Sequence, residues 1–318
     1  YSPVIDNIYY DTRLNQVNFC VTIEGYFRSE SGETFCNYLA ILTFFLGSAT
    51  TKIEFTLHNP NPARHPAGLW DVGDIGSILF KSLVFKFSVG NTRQCYWKDQ
   101  RENSWRQTSE KSFEIFQASS GGENWDSINH IDRNGAVPLK YRGYRCLAGG
   151  NMIGSGYRAT PSLCVQGEIS SVNGFIRDFW QNFPKSIGYE NGFMNLAFFP
   201  LANGYEFELQ GGEKKTHVAY VDFGTDRNAL QWCELPSKTT IPLRYYAQAS
   251  VLPYLLDKKP KGGLDDIINE GLDGDDSFFI KREHIDEYGW RNFGDVFADH
   301  ESLYLNDGEV NISHYNNQ

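Results

Sequence analysis

From Asn15 to Phe223 the chain returns repeatedly to an alternation of apolar and polar residues with a period of two. A half-buried β-strand produces that pattern, because its successive side chains point to opposite faces. Val17, Phe19, Val21 and Ile23 mark one such run. Ile53, Phe55 and Leu57 mark another, with Lys52, Glu54 and Thr56 between them. Phe35–Leu46 is more continuously apolar. Further strands are expected at Ile78–Val89, Val137–Cys146, Arg158–Val165, Gly167–Trp180, Phe193–Phe199 and Gly204–Phe223. Asn173-Gly174 reads as a turn inside Gly167–Trp180. Short polar turns between strands favour antiparallel sheets in the manner of a sandwich. A load of 18 Tyr, 23 Phe and 7 Trp against 2 Met favours the same class over a helical bundle.

The period changes after Pro242. Leu264, Ile267, Ile268 and Leu272 fall on one face of a helix, which Gly274 can end. Ser277 is placed to cap a second helix from Phe278 to about Glu287. A length of 318 residues suggests two or three domains. The net charge of −10 and the lack of a basic stripe argue against a nucleic-acid partner. No apolar run reaches membrane-spanning length, and the six scattered cysteines show no zinc-binding spacing. No nucleotide or redox fingerprint is present, so no cofactor is expected. Calcium has only Asp273-Gly-Asp275-Asp276 to suggest it, which reads better as a helix end. The start at Tyr1 and the unfinished Ser313–Gln318 are read as the ends of a fragment. The compartment stays open between secreted and cytoplasmic.

Five stretches concentrate chemistry. In Leu209–Val218, Gly211-Gly212 precedes Glu213, Lys215 and His217, which would share one strand face. The simpler reading is a solvated edge guarded by Lys. Gly122–Arg133 is a long polar interruption holding Glu123, Asn124, Trp125, Asp126, Asn129, His130 and Asp132; interruptions of that length are often functional. Tyr288–Asp295, Asp299-His300-Glu301 and Ser313-His314-Tyr315-Asn316-Asn317-Gln318 mix aromatic, guanidinium, amide and imidazole groups. Flat rings beside amides and Arg suit a sugar, whose C–H face stacks while its hydroxyls need paired partners. Each stretch also has a purely structural reading, as a loop satisfied by its own side chains.

Arg64–Ser77, Ser119–Asn129, Arg142–Arg145, Phe179–Lys185, Leu209–His217, Lys281–Asp295 and Ser313–Gln318, taken in order, resemble the exo-acting rhamnogalacturonan lyases of the twenty-sixth polysaccharide lyase family. The resemblance runs over nearly the whole chain. It implies a mainly β fold. Residues 1–90 would end a RIFT-type barrel, 91–245 would form a central antiparallel β-sandwich, and 246–318 would open a helical α/α toroid. It also implies β-elimination on a galacturonate-containing pectin backbone, with a uronate oligo- or polysaccharide as partner and no membrane. The chain is read as a monomer. Lys215 and His217 are then the first candidates for carboxylate neutraliser and base, with Arg291, His300, His314 and Tyr315 second. Trp125, Trp180 and Trp290 are stacking candidates, and Arg142 and Arg145 suit a second acidic sugar. Asn124, His130, Asn292 and Asn316 complete the expected binding set. The competing readings are a glycoside hydrolase using carboxylates such as Glu123 and Asp295, and a non-catalytic carbohydrate-binding sandwich.

Overall fold

The computed structural model describes residues 1–11, 17–64, 72–202, 205–235, 237–250, 263–275 and 277–294. The strands begin with β1 (Ser2–Tyr10), β2 (Asn18–Arg28), β3 (Thr34–Phe45), β4 (Thr50–His58), β5 (Ile78–Phe80) and β6 (Leu83–Ser88). They continue with β7 (Thr92–Lys98), β8 (Arg106–Thr108), β9 (Phe113–Gln117), β10 (Tyr144–Ala148), β11 (Asn151–Gly156) and β12 (Ser162–Gly167). The last are β13 (Ser171–Ile176), β14 (Lys185–Glu190), β15 (Phe193–Phe199), β16 (Phe207–Leu209) and β17 (Lys214–Asp222). Four α-helices follow among the described residues: α1 (Gln231–Glu234), α2 (Leu243–Ala249), α3 (Gly263–Asp273) and α4 (Phe278–Ile285).

The protein is mainly β, as the period-two runs require. Nine strands form one antiparallel sheet in the order β1-β2-β3-β4-β17-β13-β12-β7-β8. Six form a second, β11-β10-β9-β14-β15-β6, and β16 pairs with β5 apart from both. One continuous core, including Phe55, Leu57, Leu163, Ile176, Ile187 and Leu196, joins the two large sheets. In β4, Ile53, Phe55 and Leu57 are buried and Lys52, Glu54 and Thr56 half-buried, as the alternation demands. β4 pairs with β17 from His58–Lys214 to Thr50–Asp222. Strands from before and after residue 90 therefore share both large sheets, and no closed barrel forms among the described residues.

Several local expectations change. Ile78–Val89 divides, β5 going to the small sheet and β6 to the six-stranded one. Of Val137–Cys146 only the end, in β10, is strand. Asn173-Gly174 lies inside β13 and makes no turn. There a Cβ on Gly174 would meet the Met194 methyl at 2.7 Å, so glycine serves close approach of the sheets. The Asn173 amide instead donates to the carbonyls of Gly224 and Asp226, at 3.2 and 3.1 Å, organising the chain after β17. Strand β17 is central, with β4 and β13 on its two sides, which overturns the reading of an edge. Helix α3 is amphipathic as expected, yet Leu264, Ile267, Ile268 and Leu272 are all exposed. Ser277 occupies the N-cap position of α4 without a side-chain capping bond.

One irregularity shapes the core. The β15–β6 register steps from Ala197–Val84 to Phe199–Leu83, leaving Phe198 as an extra residue. Such a bulge turns a side chain that would point away and frees a backbone carbonyl. Both consequences are visible. Phe198 and Phe199 are each fully buried, and both rings contact the imidazole of His217, at 5.2 and 4.8 Å. The Phe198 carbonyl accepts from Lys185 Nζ at 2.8 Å.

Substitution of Gly188 tests the β14–β9 pairing. A Cβ there would lie 2.2 Å from the backbone carbonyl oxygen of Phe113. We expect Gly188→Ala to lower stability by about 1–3 kcal/mol, seen as a lower urea midpoint; an unchanged midpoint would contradict the tight strand spacing.

Candidate active site

His217 sits on the buried face of β17 with Ala219 and Val221, while Lys214 and Thr216 are exposed. Strand alternation puts His217 on one face with Lys215, as expected, and that face turns inward at His217. Its depth was not anticipated: the residue is 3% exposed and Lys185, facing it from β14, 0%. Lys185 Nζ lies 3.2 Å from His217 Nδ1. Its amine donates to Phe198 O at 2.8 Å and meets the His217 ring nitrogen with another of its N–H groups. Burial, then the charge of Lys215, holds Lys185 well below the usual lysine range. Burial, then the charges of Lys185 and Lys215, holds His217 well below the usual imidazole range. The pair is therefore a polar tie between the sheets, and its imidazole packs against Phe198 and Phe199 in the core and does not line the cleft.

A cleft forms elsewhere, where two of the chemistry-rich stretches meet. Asn124 Nδ2 donates to His284 O at 2.6 Å, and Asn292 Nδ2 donates to Asn129 O at 3.0 Å. Asn129 donates in turn to the Ile285 carbonyl. Gly289 N and Trp290 N donate to Gln181 O and Phe183 O at 2.7 and 2.8 Å. The segment after α4 is thereby laid like a short strap across the sandwich. These bonds satisfy backbone groups that a helix end would otherwise leave open.

The strap carries Trp290 and Arg291. Trp290 is buried against Phe199 and Phe207, at 5.4 and 5.9 Å, and its indole N–H donates to Tyr205 Oη at 3.2 Å. Burial raises the Tyr205 hydroxyl above the usual phenol range, so it keeps its proton. Arg291 Nη2 donates to Glu208 O at 3.0 Å, while its buried Nε has no partner among the described residues. Glu208 Oε1 accepts from Gly73 N and Ser77 Oγ at 2.6 and 2.7 Å; its buried Oε2 is unpartnered among the described residues. His130 Nε2 lies 2.7 Å from Asp286 Oδ2, the two side chains being 5% and 0% exposed. The cleft, open to solvent on one side, has a volume of about 100 Å³.

Of the expected site residues, His130, Trp290, Arg291 and Asn292 line this cleft. The others described do not. His217 is sealed in the core. Lys215 is half-buried on β17. Asn124 ties the loop to α4, and Trp125 is half-buried nearby. Trp180 packs on Tyr288 at 4.8 Å, with the Arg158 guanidinium over its other contact surface at 4.1 Å. Arg142 and Arg145 lie over the rings of Tyr157 and Tyr141, at 4.5 and 3.9 Å. His300, His314, Tyr315 and Asn316 lie outside the described residues. Sequence reasoning missed Tyr205, Glu208 and Asp286. Asp286 stood within the Lys281–Asp295 motif, but only its contact with His130 marks it out.

No protein-family model matches the chain, and no curated protein matches it. Among solved structures it is similar to an alpha-galactosidase from Lactobacillus brevis, at TM-score 0.37 and 7% identity over 70% of this chain and 27% of that one. It is also similar to a TPR-domain containing protein from Parabacteroides distasonis, at TM-score 0.35 and 8% identity over 75% and 38%. The chain thus spans well under half the length of either. Likenesses at this level identify neither a family nor an activity.

The buried imidazole gives a stability test. His217 binds its proton near pH 6.5 when unfolded and only well below that when folded. As pH falls below about 6.5 the unfolded state takes up more protons, so stability falls, at up to about 1.4 kcal/mol per pH unit for one group. We expect the urea midpoint to decline in this window and His217→Phe to flatten the decline. An equally steep decline in the variant would assign it to other groups.

Proposed function

We propose that the chain belongs to a polysaccharide lyase that opens a galacturonate-containing pectin backbone by β-elimination, trimming from a chain end. The observation that carries this reading is the meeting of Arg291, His130, Trp290 and Asn292 in one cleft. Elimination beside a uronate needs a cation on the carboxylate, so that the C5 proton becomes acidic. Arg291 suits that role: its guanidinium keeps an unused buried donor, and its planar fork matches a carboxylate. Tyr205 adds a polar group for a sugar hydroxyl, and Asn292 holds the strap in place through Asn129 O. On the same reading α3 and α4 open the α/α toroid, and the first strands derive from a RIFT-type barrel.

The tryptophans argue against a simple binding platform. Of the expected stacking rings, Trp290 is 4% exposed and Trp180 lies beneath Arg158, while Trp125 is half-buried. The test is incubation of the full chain with rhamnogalacturonan and polygalacturonate oligosaccharides, following the ultraviolet absorbance of a C4=C5 double bond. Arg291→Ala should lower kcat/KM by about 10²–10³-fold. New reducing ends without that absorbance would make the protein a hydrolase, and no product at all would remove the lyase reading.

A further inference from the structure

We infer that His130 is the proton acceptor of the cleft and that Asp286 is its positioning residue. The inference rests on the lyase reading for its substrate, and on geometry alone for the pair. With His217 enclosed, His130 is the described histidine that lines the cleft. Its Nε2 is committed to the Asp286 carboxylate at 2.7 Å. A carboxylate only accepts, so the ring proton belongs on Nε2. Nδ1 then carries the lone pair, and it has no hydrogen-bond partner among the described residues.

The surroundings fix this pair more firmly than a packing contact needs. Asp286 ends α4 in a left-handed conformation, φ 54°, with its backbone N–H turned to Arg282 O and Glu283 O. That conformation is uncommon for a residue with a side chain, and here it swings the carboxylate toward the loop. Asn129, next to His130 in the chain, bonds the Ile285 carbonyl, next to Asp286. Asn292 closes the ring of contacts onto Asn129 O. Phe183 meets the imidazole edge-on at 5.2 Å, limiting its rotation. Backbone and side chain are thus held on both partners, which is what an oriented base requires.

The step balances as follows. The C5–H proton passes to His130 Nδ1, and the electron pair it leaves forms the C4=C5 double bond. The C4–O4 bond breaks, and O4 departs with a proton from the Tyr205 hydroxyl. Solvent reprotonates Tyr205 and deprotonates the imidazolium. Arg291 balances the charge that builds on the carboxylate.

Two measurements on the full chain test this. Long-range ¹H–¹⁵N spectra of the labelled protein should show His130 protonated on Nε2 and bare on Nδ1, with that bias lost in Asp286→Asn. In the elimination assay His130→Gln should lower kcat by about 10²–10⁴-fold. Asp286→Asn should lower kcat at least about tenfold with KM within about twofold, and Asp286→Glu should recover part of the loss. Circular dichroism and urea midpoints check that each variant folds. Wild-type kcat in His130→Gln or Asp286→Asn, with Arg291→Ala impaired, would overturn the inference and leave the lyase reading standing. A wild-type chain with no elimination would overturn the lyase reading instead. The spectra then decide the pair alone, and an Nδ1-protonated His130 would overturn it.

Discussion

A single amine-bearing side chain at the centre of the sandwich sets the geometry on which the cleft depends. Lys185 reaches from the six-stranded sheet to the carbonyl that the Phe198 bulge leaves open and to an imidazole on the opposite sheet. An open carbonyl at that depth would cost about 1–3 kcal/mol, so the amine and the bulge belong together. The bulge in turn admits two successive phenylalanines to the core. Phe199 is the one that supports Trp290, and Trp290 holds the strap that presents Arg291. Burial of a basic group, usually unfavourable, is here what permits the irregular strand.

The strap and the long polar loop form one unit. Side-chain amides serve backbone carbonyls in both directions, Asn124 and Asn129 toward α4 and Asn292 toward the loop. Arg158 adds a charged clasp, bonding Glu283 at 3.2 and 2.5 Å while covering Trp180. Amide groups that look sugar-directed in isolation are largely spent on this junction. What remains for a ligand is narrower: a guanidinium, a phenol, an imidazole and the free oxygen of Glu208.

Strand alternation made the class of fold and the shared face of Glu213, Lys215 and His217 readable in the sequence. It could not show whether that face met water or a second sheet. Lys185 decides this, and it ends Phe179–Lys185, where the sequence by itself offers only aromatics mixed with amides. The helical period found α3 and α4 but could not say what the apolar stripe of α3 meets. Asn173-Gly174 follows turn statistics by composition, yet long-range contacts with Met194 and the segment after β17 outweigh them. Trp290, Arg291, Asn292 and His130 were identified by residue type in polar segments, which is the part of a site that local sequence does reveal. Their partners Asp286, Tyr205 and Glu208 depend on contacts between distant positions, and residue type alone carries no sign of them.

The hydrogen bond between His130 and Asp286 spans 156 positions, and that between Asn129 and Asn292 spans 163. Contacts this distant form only after the intervening chain has been ordered. During synthesis the two large sheets can therefore close while the cleft does not yet exist, since its guanidinium and its aspartate follow every described strand in the chain. A chain interrupted after β17 would keep every described strand of the sandwich and none of the strap. The chemistry proposed here would thus arrive only after the sandwich, and its absence would report an unfinished molecule.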